Sequence, residues 1–414
     1  MKISKADESS LLIGLTEALQ KARIMPYNHI SLPNEWERGI FESLDDEFGK
    51  RLRSILDDGL LDSLVQRFIL SRFHSDELEL PKPDSSKNLT SFKQFSDPLD
   101  LAKQIVNSIK DAPFQYVIYS RCLNALAEHW PSDTFELKIS DRMSVKKGRA
   151  VKKSVKTNPV KQSMNNIQLS YGLEKANIEI QEDALYFEYR LSGIVTDRLQ
   201  PKCFGDFYDD IKAFYGACIS FGMFYTFSFQ KHRSEVLHIC NQIVDGGEKI
   251  FSFAETAASD ISDCAALAIS NQLKERMAAG EGVDEVFKLI VKMFESSECA
   301  RLKTASIWLL RAHKTSRGMD KILDSTIAIE VLLGDREASD RIGLSKLMAN
   351  RCAYALGKSH KERSELNDFF IRFYRVRSDI VHSGRLKLNE SEQEVVETGT
   401  QLASRILRHE TSIG

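Results

Sequence analysis

The chain has 414 residues, 42% hydrophobic and 28% charged, with a formal net charge of −2 at pH 7. At about 150 residues per domain, that length predicts two or three domains of ordinary globular composition. It excludes a disordered polyelectrolyte and a protein held to nucleic acid by bulk charge alone. Nine prolines are about half the usual share, which favours long helices over a many-turned β-sandwich. The seven cysteines form no Cys-x-x-Cys pair, so neither a disulfide framework nor a zinc knuckle is expected, and the expected compartment is the reducing cytoplasm. Met1 to Glu8 carries no apolar run, so no signal peptide is expected.

Residues 6–24 and 34–73 are expected to be helical. Leu56, Leu60, Leu64, Phe68 and Leu70 recur near the helical period, and Asn34 with Glu37 offers a capping box. Together they make an N-terminal helical region, 1–75. From Ser75 to Pro98 the chain turns acidic and rich in Ser, Asn and Pro, which reads as a linker. With an amphipathic stretch at 99–110 it forms a linker and short helix over 76–113. Between 114 and 205 the period changes to two. Phe135, Leu137 and Ile139 alternate with Glu136 and Lys138, and Leu185, Phe187, Tyr189 and Leu191 alternate with polar neighbours. Half-buried antiparallel strands of a small mixed domain are expected there. A basic run lies between them: Arg142, Lys146, Lys147, Arg149, Lys152, Lys153, Lys156 and Lys161. It reads either as a solvated loop or as an RNA-binding, phosphate-contacting arm, with Lys146, Lys147, Arg149, Lys152 and Lys153 as its candidate contacts.

From 206 to 414 an all-α region is expected, with helices near 207–229, 231–244, 248–278, 282–296, 299–313, 318–333, 341–356, 361–383 and 390–409. Ala213 to Gln230 is free of charge, but Gly216, Ser220, Gly222, Thr226 and Ser228 interrupt it and it barely reaches the ~20 apolar residues of a membrane span. A buried helix, and no membrane contact, is expected. The fold class is therefore mostly α with a small β-containing middle region (α+β).

Several motifs of chemistry are absent. There is no His-Glu-x-x-His, and no Gly-x-Ser-x-Gly nucleophile elbow. Gly357-Lys358-Ser359 lacks the upstream glycine of a phosphate loop and reads as a helix C-terminus. Asp245-Gly246-Gly247 reads as a turn. The segment Phe369 to Gly384 contains Arg377 and His382. Similar Arg/His spacings occur at Arg23/His29, Arg67/His74 and Arg233/His238, of which only the last lies in a plausible helix. In helical projection Phe369, Phe373, Val376 and Ile380 share one stripe facing the core. Arg377 and His382 then flank the opposite face, with Phe370, Tyr374 and Val381 outward between them. Such an apolar outward stripe reads as a contact with a second copy, bringing two Arg377 and two His382 side chains around one cleft. His382 ends its helix, where the dipole attracts cations, with Gly384 as the expected cap. Asp379 could orient the imidazole or pair with Arg375. RNA carries its own nucleophile, the 2′-hydroxyl, so cleavage needs a base, an acid and a cation for the phosphate.

The region 295–410 resembles the HEPN superfamily, and more specifically the Apea-like HEPN group. The residues that carry the resemblance are Ile329-Glu330-Val331-Leu332-Leu333-Gly334, then Arg351, then Arg377 through Gly384. One departure is Ser378, where many active members have Asn or Asp. The resemblance implies a C-terminal HEPN-like helical bundle and a homodimeric endoribonuclease that uses neither metal nor cofactor. Arg377 and His382 would be catalytic, with Ser378, Asp379, Glu330 and Arg351 in support. Glu330, set in an apolar run, needs a partner, for which Arg351 is the expected candidate. The resemblance also implies anti-phage defence or growth arrest in a prokaryote, with residues 1–200 sensing or restraining the nuclease. Two alternatives stand beside this: a non-catalytic helical module that binds RNA or protein, and a toxin silenced by an antitoxin partner.

Overall fold

The computed structural model describes residues 1–25, 29–56, 61–70, 86–122, 124–127, 130–154, 180–193, 203–226, 236–244, 247–256, 267–278, 283–334, 343–383 and 387–414. The chain begins with α1 (Lys5–Lys21), capped by Ser4, whose Oγ accepts from the Asp7 amide at 3.1 Å. Leu11, Leu15 and Leu19 recur every fourth residue along it and are all buried. The expected 34–73 helix is broken into α2 (Trp36–Ser43), α3 (Asp46–Ile55) and α4 (Leu61–Leu70). Asp45 makes the first break, because its carboxylate accepts from the amides of Glu47 and Phe48 and so starts a new helix. The expected Asn34/Glu37 capping box does not form. Glu35 occupies the N-cap in the left-handed region (φ 59°), and Glu37 instead accepts from the Leu61 amide at 2.6 Å.

A three-stranded sheet, with β1 (Arg23–Met25) between β2 (His29–Ser31) and β3 (Lys87–Asn88), completes this part. The stretch expected as linker and short helix ends in α5 (Pro98–Asp111), capped by Asp97 and packed on α1. Its Leu101, Ile105 and Ile109 join Leu11 and Leu15 in one core that extends to Ala112. The first structural unit thus reaches residue 112, because the apolar face of α5 is buried against α1.

The middle of the chain is a six-stranded antiparallel sheet. Its strands, in sequence, are β4 (Phe114–Arg121), β5 (Glu136–Lys138), β6 (Met143–Lys147), β7 (Leu185–Gly193), β9 (Val236–Val244) and β10 (Gly247–Thr256). Their order across the sheet is β10-β9-β4-β7-β6-β5. A separate pair joins β8 (Phe224–Thr226) to β11 (Leu267–Ile269). The expected strands at 136–138 and 185–191 are present, but β4 and β7 are buried on both faces. Tyr116, Ile118, Phe187 and Tyr189 enter the large core, while Val117, Tyr119 and Tyr186 enter a small second core with Val151 and Ile180. Alternation therefore marks two apolar sides here, with Glu188 admitted to the second because Lys146 meets it at 2.5 Å and Arg190 at 3.2 Å.

The expected helix 231–244 and the first part of the expected helix 248–278 are strands instead, while 271–278 is helical. Residues 236–244 and 247–256 form a hairpin in which Val244 pairs with Gly247, leaving only two residues between the strands. That spacing suits the Asp-Gly turn signal, and β9 pairs along β4 from Gln115 to Ser120. The tertiary pairing wins over the local helical pattern. Asp245 and Gly246 lie outside the described residues.

The charge-free run begins in α8 (Cys203–Ser220), which covers the sheet with Phe207, Ile211 and Phe214. The Phe214 ring meets Phe187 edge-on at 5.2 Å. Among the described residues no helix is long and apolar enough to cross a membrane. Gly216 is required at the crossing with α11 (Cys299–Lys314), since a Cβ there would lie 2.0 Å from the Ser306 carbonyl oxygen.

After α9 (Asn271–Ala278) and α10 (Asp284–Glu295) comes α11, followed by α12 (Gly318–Leu333), α13 (Leu344–Leu356), α14 (His360–Ser383) and α15 (Glu390–Ile413). These last helices fall close to their expected positions. α13 ends at Gly357, as expected for the Gly-Lys-Ser string, and Asn389 with Glu392 caps α15 in a capping box. The fold is mostly helical, with small antiparallel sheets.

Candidate functional site

The candidate residues converge on α14, which α12, α13 and α15 all contact. Phe373 and Ile380 are buried as expected, and Phe373 packs so tightly on α15 that a Cβ at Gly399 would lie 2.1 Å from its ring. Phe370, expected outward at a dimer contact, is wholly buried inside its own chain. Its ring lies 6.2 Å from Phe373 and 6.3 Å from Tyr374. The projection assumed one buried stripe, whereas three helices grip α14 and widen the buried arc. Tyr374 is half-buried, and of the expected interface residues only Val381 is exposed.

The wider arc also takes in Arg377. Its guanidinium lies 5.6 Å from the Tyr374 ring, one turn earlier on the same helix, and its Nε is buried without a hydrogen-bond partner. Glu330 reaches this pair from α12. Burial pushes its carboxyl above the usual carboxylate range, against the opposing pull of the Arg377 guanidinium and of a hydrogen bond from the Tyr374 side chain. The Tyr374 hydroxyl is raised by burial and by Glu330. Three groups from two helices thus form a half-buried acid–phenol–guanidinium cluster.

Arg351, the expected partner of Glu330, donates its Nη1 to the Leu333 carbonyl at 2.9 Å, capping the end of α12. The groups acting on Glu330 are Arg377 and Tyr374, so the expected pair is replaced by a cluster that includes the motif arginine itself. Tyr374 and Arg377 stand three residues apart, a spacing that places helical neighbours on one face. That spacing was the available signal for the cluster.

His382 sits in the last turn of α14, exposed to solvent. It is five residues beyond Arg377, which is about 140° around the helix and about 7.5 Å along it. One side chain is therefore lodged against α12 while the other faces water. Among the described residues, no hydrogen bond or ion pair joins Asp379 to His382 or to Arg375. Asp379 is exposed, and its backbone carbonyl accepts from the Ser383 hydroxyl. Ser378 is half-buried. Gly384 lies outside the described residues.

The candidate basic arm is folded into β6 and α7 (Gly148–Ser154). Lys146 sits between Glu188 at 2.5 Å and Glu136 at 3.6 Å. Lys147 donates to the carbonyls of Ala127 and Asp183, and Arg149 pairs with Asp133 at 3.0 Å and Glu182 at 3.4 Å. Lys152 meets Glu182 at 2.9 Å, and Lys153 is exposed. Four of the five cations expected to contact RNA are thus engaged within the chain, three by carboxylates and Lys147 by backbone carbonyls. Lys156 and Lys161 lie outside the described residues.

The rival Arg233/His238 spacing is not helical, since His238 lies in β9, and Arg233 is outside the described residues. No group of three or more His, Cys, Asp or Glu is gathered as a cation site among the described residues. Compared with protein families, curated proteins and solved structures, the chain matches none.

Proposed function

We propose that this chain is an endoribonuclease of the HEPN type, acting without a metal through Arg377 and His382. The observation that supports the reading is the end of α14. There a guanidinium is held beside Glu330 and Tyr374, within two turns of a solvent-exposed imidazole on the same helix.

In the proposed reaction the 2′-hydroxyl oxygen attacks the adjacent phosphorus. The new 2′-O–P bond forms as the P–O5′ bond breaks. A base takes the 2′ proton, and an acid gives one to the leaving 5′ oxygen. The products carry 2′,3′-cyclic phosphate and 5′-hydroxyl ends. His382 serves as one of these two proton carriers. A second copy, meeting the first near the exposed Val381, would supply the other imidazole. Arg377 stabilises the charge that gathers on the phosphate oxygens.

The half-burial of Arg377 favours a second reading, in which the Arg377–Glu330–Tyr374 cluster is structural and the bundle is a non-catalytic RNA- or protein-binding module. Incubating the purified protein with RNA in EDTA separates the two. Cleavage that leaves cyclic phosphate ends and disappears in His382→Ala is the expected result. Cleavage abolished by chelation overturns the metal-free mechanism, and no cleavage at all supports the module. A role in defence or growth arrest predicts that expression slows the host and that His382→Ala relieves it.

A further inference from the structure

Resting on that nuclease reading, we infer that Arg375, together with Arg372, is the phosphate-binding element that leads RNA to His382, and that the motif arginine does not do this alone. Arg375 and His382 are seven residues apart, which is within about 20° of two full turns, so both project from one face about 10.5 Å apart. Both are exposed, as is Arg372. Arg377 projects about 140° away from His382 and is half-buried.

On the exposed side of the helix Arg372 and Arg375 stand with Asp368 and Asp379, one carboxylate four residues from each, and neither carboxylate closes on a guanidinium. Among the described residues neither Arg372 nor Arg375 makes a hydrogen bond or ion pair. Arg372 only rests its guanidinium 5.8 Å from the Phe369 ring of its own turn. This contrasts with the β6–α7 region, where Lys146, Arg149 and Lys152 are all matched by carboxylates. Exposed guanidinium groups without internal partners are suited to bidentate capture of phosphate oxygens, and each one occupied releases a counterion. The second copy of the proposed dimer meets the first at Val381, about 120° around the helix from Arg375, and leaves this face open. A polyanion fits it.

The test uses the full-length chain. Binding of a fluorescein-labelled single-stranded RNA is measured by anisotropy at several KCl concentrations, in a His382→Ala background that prevents turnover. Arg375→Ala should weaken binding about tenfold and lower the salt-dependence slope by about 0.7. Arg375→Lys should keep the slope while losing part of the affinity. Lys103→Ala, an exposed cation on α5, controls for charge loss elsewhere. Because Arg375 is exposed and alanine favours helix, folding should be unaffected, which circular dichroism checks.

If Arg375→Ala binds RNA with unchanged affinity and slope, or if the parent binds no RNA, the inference is overturned. Cleavage is scored separately with native His382. An active enzyme indifferent to Arg375→Ala sinks the track and leaves the nuclease reading standing. Arg375-dependent binding without cleavage does the reverse.

Discussion

Acidification should destabilise the C-terminal bundle through His313, near the end of α11. Its Nε2 lies 3.0 Å from the Ser404 hydroxyl of α15. Burial, assisted by the Lys321 ammonium and opposed by Glu397, pushes the imidazole from 6.5 down to about 4. The folded protein therefore binds this proton less readily than the unfolded chain. Its stability is fully present above pH 6.5 and is lost progressively as the pH falls from there toward 4. With those two values, linkage gives a loss of about 2.5 kcal/mol between pH 7.5 and pH 4.5. Surface carboxylates also titrate in that window, so the informative quantity is a difference. Urea unfolding of the wild type and of His313→Gln, which keeps a polar group near Ser404, should be compared at several pH values. The wild type should lose about 2.5 kcal/mol more than the variant on acidification. Parallel pH profiles for the two proteins would refute the claim that a half-buried neutral imidazole is the sensor.

Three further outcomes follow from the packing. Gly399→Ala should lower stability by about 1–3 kcal/mol or more in thermal unfolding, because the added methyl meets the Phe373 ring held between α14 and α15. Phe370→Ala should cost about 3–5 kcal/mol by leaving a cavity in its own core. If Phe370 were instead an interface residue, sedimentation would report a change in assembly with little loss of monomer stability. Lys146→Met should destabilise by about 1–3 kcal/mol, measured by urea unfolding, since it leaves the buried Glu188 with only the largely exposed Arg190 as its cation. Lys153→Met, at an exposed position, should change little.

The sequence by itself determined the C-terminal helices. Their apolar residues recur at the helical period within single continuous stretches, and Gly357, read as a helix C-terminus, is where α13 ends. It also marked Arg377, His382 and the need of Glu330 for a partner. What it could not determine was anything set by neighbours remote in the chain. Residues 236–256 carry a local pattern compatible with helix, yet β4 draws them into a sheet. Lys146 and Arg149 read as a free basic arm until Glu188 and Asp133 fold against them. Phe370 reads as outward from the spacing on one helix, because a projection counts one buried stripe and cannot count how many helices will pack around it. Only the tertiary structure decided that Arg377 turns inward to Glu330 and Tyr374 while Arg375 shares the open face with His382. The physical reason is that periodicity records which residues of a helix share a face, whereas burial, pairing and charge compensation are properties of the elements that arrive to cover it.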